Sequence, residues 1–148
     1  MKLSLGKKGD YAVRATLCLA LHRGNRLKAR EIASEMEIPE TYLPQVLATL
    51  IRAGLAGSVA GPDGGYYLTR PPKEVSLLEV VEAAEGALIG GTCVLRGGPC
   101  RWHGTCVLHE HWEAAQVALV SRLDQTTFAD LSHQDHLTGA PVPSGEAS

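Results

Sequence analysis

The chain has 148 residues and a mass of 15.7 kDa, which suits one domain or one domain with an appendage. Hydrophobic residues make up 45% and charged residues 20%, a balance that argues against global disorder, and aromatics at 5% leave the core to aliphatic and alanine packing. The formal charge of −2 hides an asymmetry: residues 1–73 hold eleven Lys/Arg against six Asp/Glu, net +5, and residues 74–148 hold three against ten, net −7. A basic front half suggests that one end meets a polyanion. The longest uncharged apolar run, Ala15 to Leu21, is too short to span a bilayer. Arg14 interrupts its start and His22-Arg23 follow it without a cleavage site, so it does not read as a secretory signal. The expectation is a soluble cytoplasmic protein with no membrane partner.

In chain order, residues 9–23 predict a largely buried helix stopped by Gly24-Asn25. Residues 28–36 predict a short amphipathic helix with Ala29, Ile32, Ala33 and Met36 on one face. Glu37-Ile38-Pro39 read as a tight turn, and residues 40–53 as a third helix that buries Leu43, Val46, Leu47 and Leu50 and stops at Gly54. Pro44 fits only near the start of a helix, which places that start near Pro39 or Glu40. Two short strands, Leu55 to Ala60 and Tyr66 to Thr69, flank the turn cluster Gly61-Pro62-Asp63-Gly64-Gly65 and predict a hairpin. Pro71-Pro72 break the chain. Ser76-Leu77-Leu78-Glu79 has the form of a capping box and opens a helix ending at Gly86. A long Gly- and Cys-rich loop runs from Ala87 to Gly104. From about Cys106 to Leu123 a helix returns, with a narrow stripe of Leu108, Trp112, Ala115, Leu119 and Leu123 that suits helix pairing. Thr127 and Asp130 cap a last short helix, and residues 138–148 lack apolar anchors and are expected to be disordered.

Two short helices joined by a tight turn and followed by a Gly-rich hairpin describe a winged helix-turn-helix. The major groove of double-stranded DNA admits one helix, whose N-terminal residues reach base edges. Here these are Glu40, Thr41, Tyr42 and Gln45. Gln45 can pair with an adenine edge, Thr41 and Tyr42 with phosphate or base, and Glu40 can accept from cytosine. Gly61, Gly64 and Gly65 give the hairpin tip little bulk, so its backbone N–H groups could approach phosphate. Lys2, Lys7, Lys8, Lys28, Arg30 and Arg52 are the candidate phosphate neutralisers.

The loop carries a second constellation, Cys93-x6-Cys100-x5-Cys106-x2-His109. Grouped thiols in a cytosolic chain point to a metal rather than to disulfides. Three thiols and an imidazole can hold an iron–sulfur cluster or a tetrahedral zinc. His103 and His111 read as solvated surface residues, and Cys18 as a core thiol. An enzyme is not expected. His109-Glu110-His111 lacks the H-E-x-x-H spacing, Gly61–Gly65 is no phosphate loop, and no G-x-S-x-G occurs.

From Met1 to about Leu131 the chain resembles the IscR/NsrR/RirA-type iron–sulfur winged-helix repressors of bacteria. The carriers are MKLSLGKKGDYAVRA, IPETYLPQVLATLIRAGL, GPDGGYYLTRP, SLLEVVEAAEG, the three-cysteine loop and TTFADL. The resemblance implies a homodimer paired through the long helix, reading a palindromic operator. It implies a 4Fe–4S or 2Fe–2S cluster in each protomer, held by Cys93, Cys100 and Cys106. The fourth ligand is either His109 or Asp10 from the partner's first helix, with Arg14 close by. A sensor of nitric oxide, redox state or iron–sulfur status follows as the expected role. The rival reading is a winged-helix DNA-binding protein with structural zinc and no sensing. Three positions depart from the family pattern: the first cysteine spacer is one residue longer than in the best-known members, Ala60 replaces a common Arg, and Pro44 replaces the Glu found in IscR. The last two bear on which operator is read.

The expected fold is mainly α with a small β-hairpin wing, a winged helix-turn-helix plus a long dimerisation helix. Its divisions are 1–73 for DNA binding, 74–104 for the capped helix and cysteine loop, 105–137 for the dimerisation and terminal helices, and 138–148 for the tail.

Overall fold

The computed structural model describes residues 3–88, Leu95 and 106–133. Lys2, Cys93, Cys100, His103 and the tail 138–148 lie outside them. Helix α1 (Lys7–Leu21) is the central rod, with Ala12, Ala15, Leu17, Cys18 and Leu19 buried; α2, α3, α4, α6 and β2 all touch it. Helix α2 (Ala29–Met36) buries Ile32, Ala33 and Met36, the face that the spacing predicts. It ends at Glu37, whose left-handed backbone (φ 55) lets the Ile38 N–H reach back to the Ala33 carbonyl at 3.0 Å.

Helix α3 (Leu43–Arg52) begins later than its sequence suggests. A helix running through Glu40 would require Pro44 to donate an N–H to the Glu40 carbonyl, which proline cannot do, and would drive its ring into that carbonyl. Pro44 instead takes the second helical position, and the chain turns from Glu37 through Tyr42, with the Tyr42 and Leu43 N–H groups on the Pro39 carbonyl. Leu43, Val46, Leu47 and Leu50 are buried as expected.

Strands β1 (Ala56–Val59) and β2 (Gly65–Leu68) pair antiparallel, Ala56 opposite Leu68 and Val59 opposite Gly65. Leu27, just before α2, adds an antiparallel bridge to Tyr66, with hydrogen bonds of 3.0 and 2.8 Å. Pro72–Glu74 form a short 3₁₀ turn rather than a bare break. Helix α4 (Leu77–Glu85) opens on the predicted capping box: Ser76 Oγ accepts from the Glu79 N–H at 3.1 Å and Glu79 returns the bond at 3.0 Å.

Helix α5 (His109–Gln125) packs on α4 and has no fully buried residue. The predicted stripe is split across it. Trp112 and Leu123 are half-buried with Gln116 and Val120, whereas Ala115 and Leu119 are exposed, Leu119 to 49%. Sequence spacing alone does not reveal that α4 covers one edge of that stripe. Helix α6 (Phe128–Ser132) is capped reciprocally by Thr127 and Asp130, as expected. Its Phe128 is the only phenylalanine of the chain and is completely buried in the core shared by α1, α3 and α4. The Phe128 N–H bonds the Val75 carbonyl, the Leu77 N–H bonds the Thr126 carbonyl, and Thr127 bridges to Ser76. These bonds fasten the end of α5 to the start of α4.

Candidate functional site

The α2–α3 unit presents an exposed polar edge. Arg30 on α2, Glu40 and Thr41 in the turn, and Gln45 and Arg52 on α3 are all exposed. Gln45 lies in the first turn of α3, at the positive end of the helix dipole, with its own N–H on the Tyr42 carbonyl at 3.2 Å. Tyr42 is half-buried; its ring stands edge-on to Tyr11, centroids 5.2 Å apart, and braces the turn against α1. Lys7 and Lys8 are exposed in the first turn of α1.

The hairpin is tied to this unit by Lys28, whose Nζ donates to the Gly61 carbonyl at 2.9 Å. That bond fixes the tip relative to the start of α2 and gives Lys28 a structural duty besides its charge. Gly64 and Gly65 are buried, and their lack of bulk is needed by the fold itself. A Cβ on Gly64 would lie 2.0 Å from the Val59 carbonyl oxygen, and one on Gly65 2.7 Å from the Leu27 carbonyl oxygen. Gly61, Pro62 and Asp63 are the exposed part of the tip.

The candidate metal donors fall on two other elements. Asp10 on α1 is held by a bidentate pair with Arg14, Nε to Oδ1 at 2.9 Å and the second terminal nitrogen to Oδ2 at 3.0 Å. Both side chains are about two-fifths exposed, at 41% and 40%. Arg14 also donates to the Met36 carbonyl at 3.2 Å and stacks over Tyr11, which anchors it to the end of α2. Asp10 is thus an oriented, solvent-reachable carboxylate beside the helix-turn-helix. Cys106 is half-buried immediately before α5, and His109 is the first residue of that helix, its N–H on the Cys106 carbonyl at 3.2 Å. His109 Nε2 lies 3.8 Å from the Glu113 carboxylate. A thiol and an imidazole one turn apart fit either a cluster or a zinc ion as donors.

Sequence reasoning passed over Glu85, whose carboxylate at the end of α4 accepts from the Gly6 and Gly9 N–H groups of α1 at 2.7 and 3.0 Å. No local pattern marks it, because its partners are 79 and 76 residues away.

Comparison with known proteins places this arrangement. The Rrf2 family model, described as an iron-dependent transcriptional regulator, matches residues 5–134. The HTH-type transcriptional regulator IscR of Salmonella paratyphi B is 30% identical over 155 aligned positions, covering 98% of this chain and 94% of its own. Among solved structures, IscR of T. potens superposes with a TM-score of 0.72 at 32% identity, covering 88% of this chain and 87% of that one. CymR, the global cysteine regulator of B. subtilis, gives a TM-score of 0.74 at 26% identity over 89% of this chain and 98% of that one. The winged helix-turn-helix with its hairpin is therefore a transcription factor's rather than an enzyme's, and the chain belongs to the Rrf2 family of transcriptional regulators.

Proposed function

We propose that this chain is a cytoplasmic transcriptional repressor that binds a palindromic operator as a homodimer, with operator affinity controlled by an iron–sulfur cluster sensing nitric oxide, redox state or iron–sulfur status. The observation that carries this reading is the placement of donors on the two elements that matter. Asp10 is clamped by Arg14 on the helix that supports the helix-turn-helix, and Cys106 and His109 sit at the start of α5.

Cys93, Cys100 and Cys106 would hold the cluster, with Asp10 of the partner or His109 as fourth ligand, and it would supply thiolate-bound iron that reacts with nitric oxide, oxygen or peroxide. The exposed Ala115–Leu119 edge of α5 supports pairing with a second copy. Loss of the cluster would remove its tie to Cys106 ahead of α5 and, where Asp10 is the fourth ligand, to the partner's α1. The spacing of the two recognition helices would then change, and a dimer that reads half-sites about one DNA turn apart depends on that spacing. On the DNA, Gln45 reads a base edge, Glu40 and Thr41 flank it, and Lys2, Lys8 and Arg30 neutralise phosphates.

The test is anaerobic purification followed by an absorption spectrum, an iron and sulfide count, and operator binding of holo and apo protein at one salt concentration. A brown protein whose two forms differ in affinity is the expected result. Colourless protein with one zinc per chain would replace the sensor by a structural metal, and equal affinity of both forms for every operator would remove the switch.

A further inference from the structure

A second set of metal-ligating side chains meets between α1 and α2, away from the cysteine loop. Cys18 is in the last turn of α1 and His22 caps its C-terminus one turn on, its N–H still bonded to the Cys18 carbonyl at 3.1 Å, so the two side chains lie close together. Glu35 on α2 lies opposite. The Cys18 thiol donates to its Oε2 at 2.7 Å, and His22 Nε2 lies 2.9 Å from both of its oxygens. One ligand atom from each residue can be chosen so that all lie within 4.8 Å of one another. Cys18 is fully buried, whereas the His22 and Glu35 side chains are 39% and 38% exposed, so the group is closed at the thiol and open to solvent at the imidazole.

We propose that Cys18, His22 and Glu35 bind a divalent metal ion of borderline softness, typified by zinc, with water in the fourth position. Thiolate, imidazole and carboxylate are each ordinary zinc donors, at about 2.0–2.3 Å. A tetrahedral ion with such bonds separates its donor atoms by about 3.5 Å. The existing contacts of 2.7 and 2.9 Å need open by less than an ångström, roughly, which the solvent-exposed carboxylate of Glu35 can supply by torsion. Local charge favours a cation, because Glu31 acts on the same thiol as Glu35. On binding, the Cys18 sulfur–hydrogen bond breaks, its proton passes to solvent, and the sulfur–metal bond replaces it. The bound ion would rivet α1 to the first helix of the helix-turn-helix, giving the DNA-binding half a metal response of its own. This site stands whether or not the loop carries a cluster.

The same three residues without a metal form only a hydrogen-bonded tie, and one experiment separates the two. In the full-length chain carrying Cys93→Ser, Cys100→Ser and Cys106→Ser, Cys18 is the sole remaining thiol of the original four. Anaerobic titration with cobalt(II) should give one equivalent bound, a thiolate-to-cobalt charge-transfer band, intense tetrahedral d–d bands, and displacement by zinc. Cys18→Ala should abolish the charge-transfer band. Glu35→Gln and His22→Ala, both at the open end and so tolerant of change, should each weaken binding by more than the about hundredfold that loss of a mere outer-shell partner can cost. Absence of the charge-transfer band in the loop-substituted protein overturns the proposal. So does a band whose affinity is unchanged by both Glu35→Gln and His22→Ala, which keeps the conclusion independent of whether Cys18→Ala folds.

Discussion

Glu85 and Gly9 meet across the fold: the carboxylate at the end of α4 accepts the Gly9 N–H at 3.0 Å, and the same oxygen takes the Gly6 N–H at 2.7 Å. Helix α1 has no side-chain cap of its own, so this carboxylate fills the role of one and sits at the positive end of the helix dipole. Glu85→Ala should lower stability by about 1 kcal/mol in urea unfolding. A Cβ on Gly9 would fall 2.6 Å from the Glu85 oxygen. Gly9→Ala should therefore trade a helix-propensity gain of up to about 1 kcal/mol against loss of the cap and come out near neutral. Placed in the Glu85→Ala background, where no cap remains to displace, it should be plainly stabilising. A double-mutant cycle that adds without interaction would show that the contact contributes nothing.

Phe128 makes α6 part of the core. Truncation to alanine leaves a cavity where α6 packs on α1 and the Pro72–Glu74 turn, and should cost about 3–5 kcal/mol, read by denaturant midpoint at fixed protein concentration. Leu131, partly buried beside it, should tolerate methionine with far less effect.

On DNA, exposed residues should sort by what they touch. Gln45→Ala should cost about 1–3 kcal/mol on the preferred operator and relax discrimination at one base pair. Lys8→Ala and Arg30→Ala should weaken binding evenly across sequences, and each should reduce the slope of log affinity against log salt by about 0.9. Fluorescence anisotropy at several salt concentrations separates the two classes.

The α1–α2 tie should be visible in the pH dependence of stability. Burial, then the hydrogen bond and charge of Glu35, push the Cys18 thiol far above its ordinary value of 9.0. A raised folded-state value means stability is intact below 9.0 and declines above it, as the unfolded thiol ionises while the folded one stays protonated. Cys18→Ala should flatten that alkaline decline. Glu35 behaves oppositely. Burial would raise its value, but the hydrogen bonds from Cys18 and His22 and the His22 charge outweigh it and hold the carboxyl below its ordinary 4.5. Its contribution is present above 4.5 and is lost as pH falls through the depressed value, so Glu35→Gln should flatten the acid limb modestly, solvent screening being strong at this exposure. Thermal midpoints across pH measure both.

For the sensor reading, Cys100→Ser should remove the visible absorbance and leave the protein with the operator affinity of the apo form. Unchanged colour and binding would exclude Cys100 as a ligand.

Local chemistry made much of this fold legible. The Ser76–Glu79 and Thr127–Asp130 caps act between neighbours, so α4 and α6 start where their residues predict. The buried faces of α2 and α3 follow from spacing, because each packs a single stripe. What stayed hidden depends on distant partners. Nothing near Gly9 announces Glu85, and the half-buried edge of α5 is defined by α4 rather than by its own periodicity. Pro44 did carry the start of α3, but only when the carbonyl it would strike is considered. At the site both helices begin about three residues later than expected, which puts Gln45 in the first turn of α3 and leaves Cys106 ahead of α5 rather than inside it. Gly64 and Gly65 turn out to be required by Val59 and Leu27.

The bonds around Val75, Leu77 and Phe128 give α5 a pivot. A rod of 17 residues pinned at its C-terminal end is about 25 Å long, so a tilt of about 5° swings its opposite end by about 2 Å. Cys106 and His109 sit at that opposite end. Whatever pulls on them works at the long arm of a lever whose fulcrum is the buried Phe128 latch, and sub-ångström rearrangements near the hinge correspond to the largest travel where the thiol and imidazole lie.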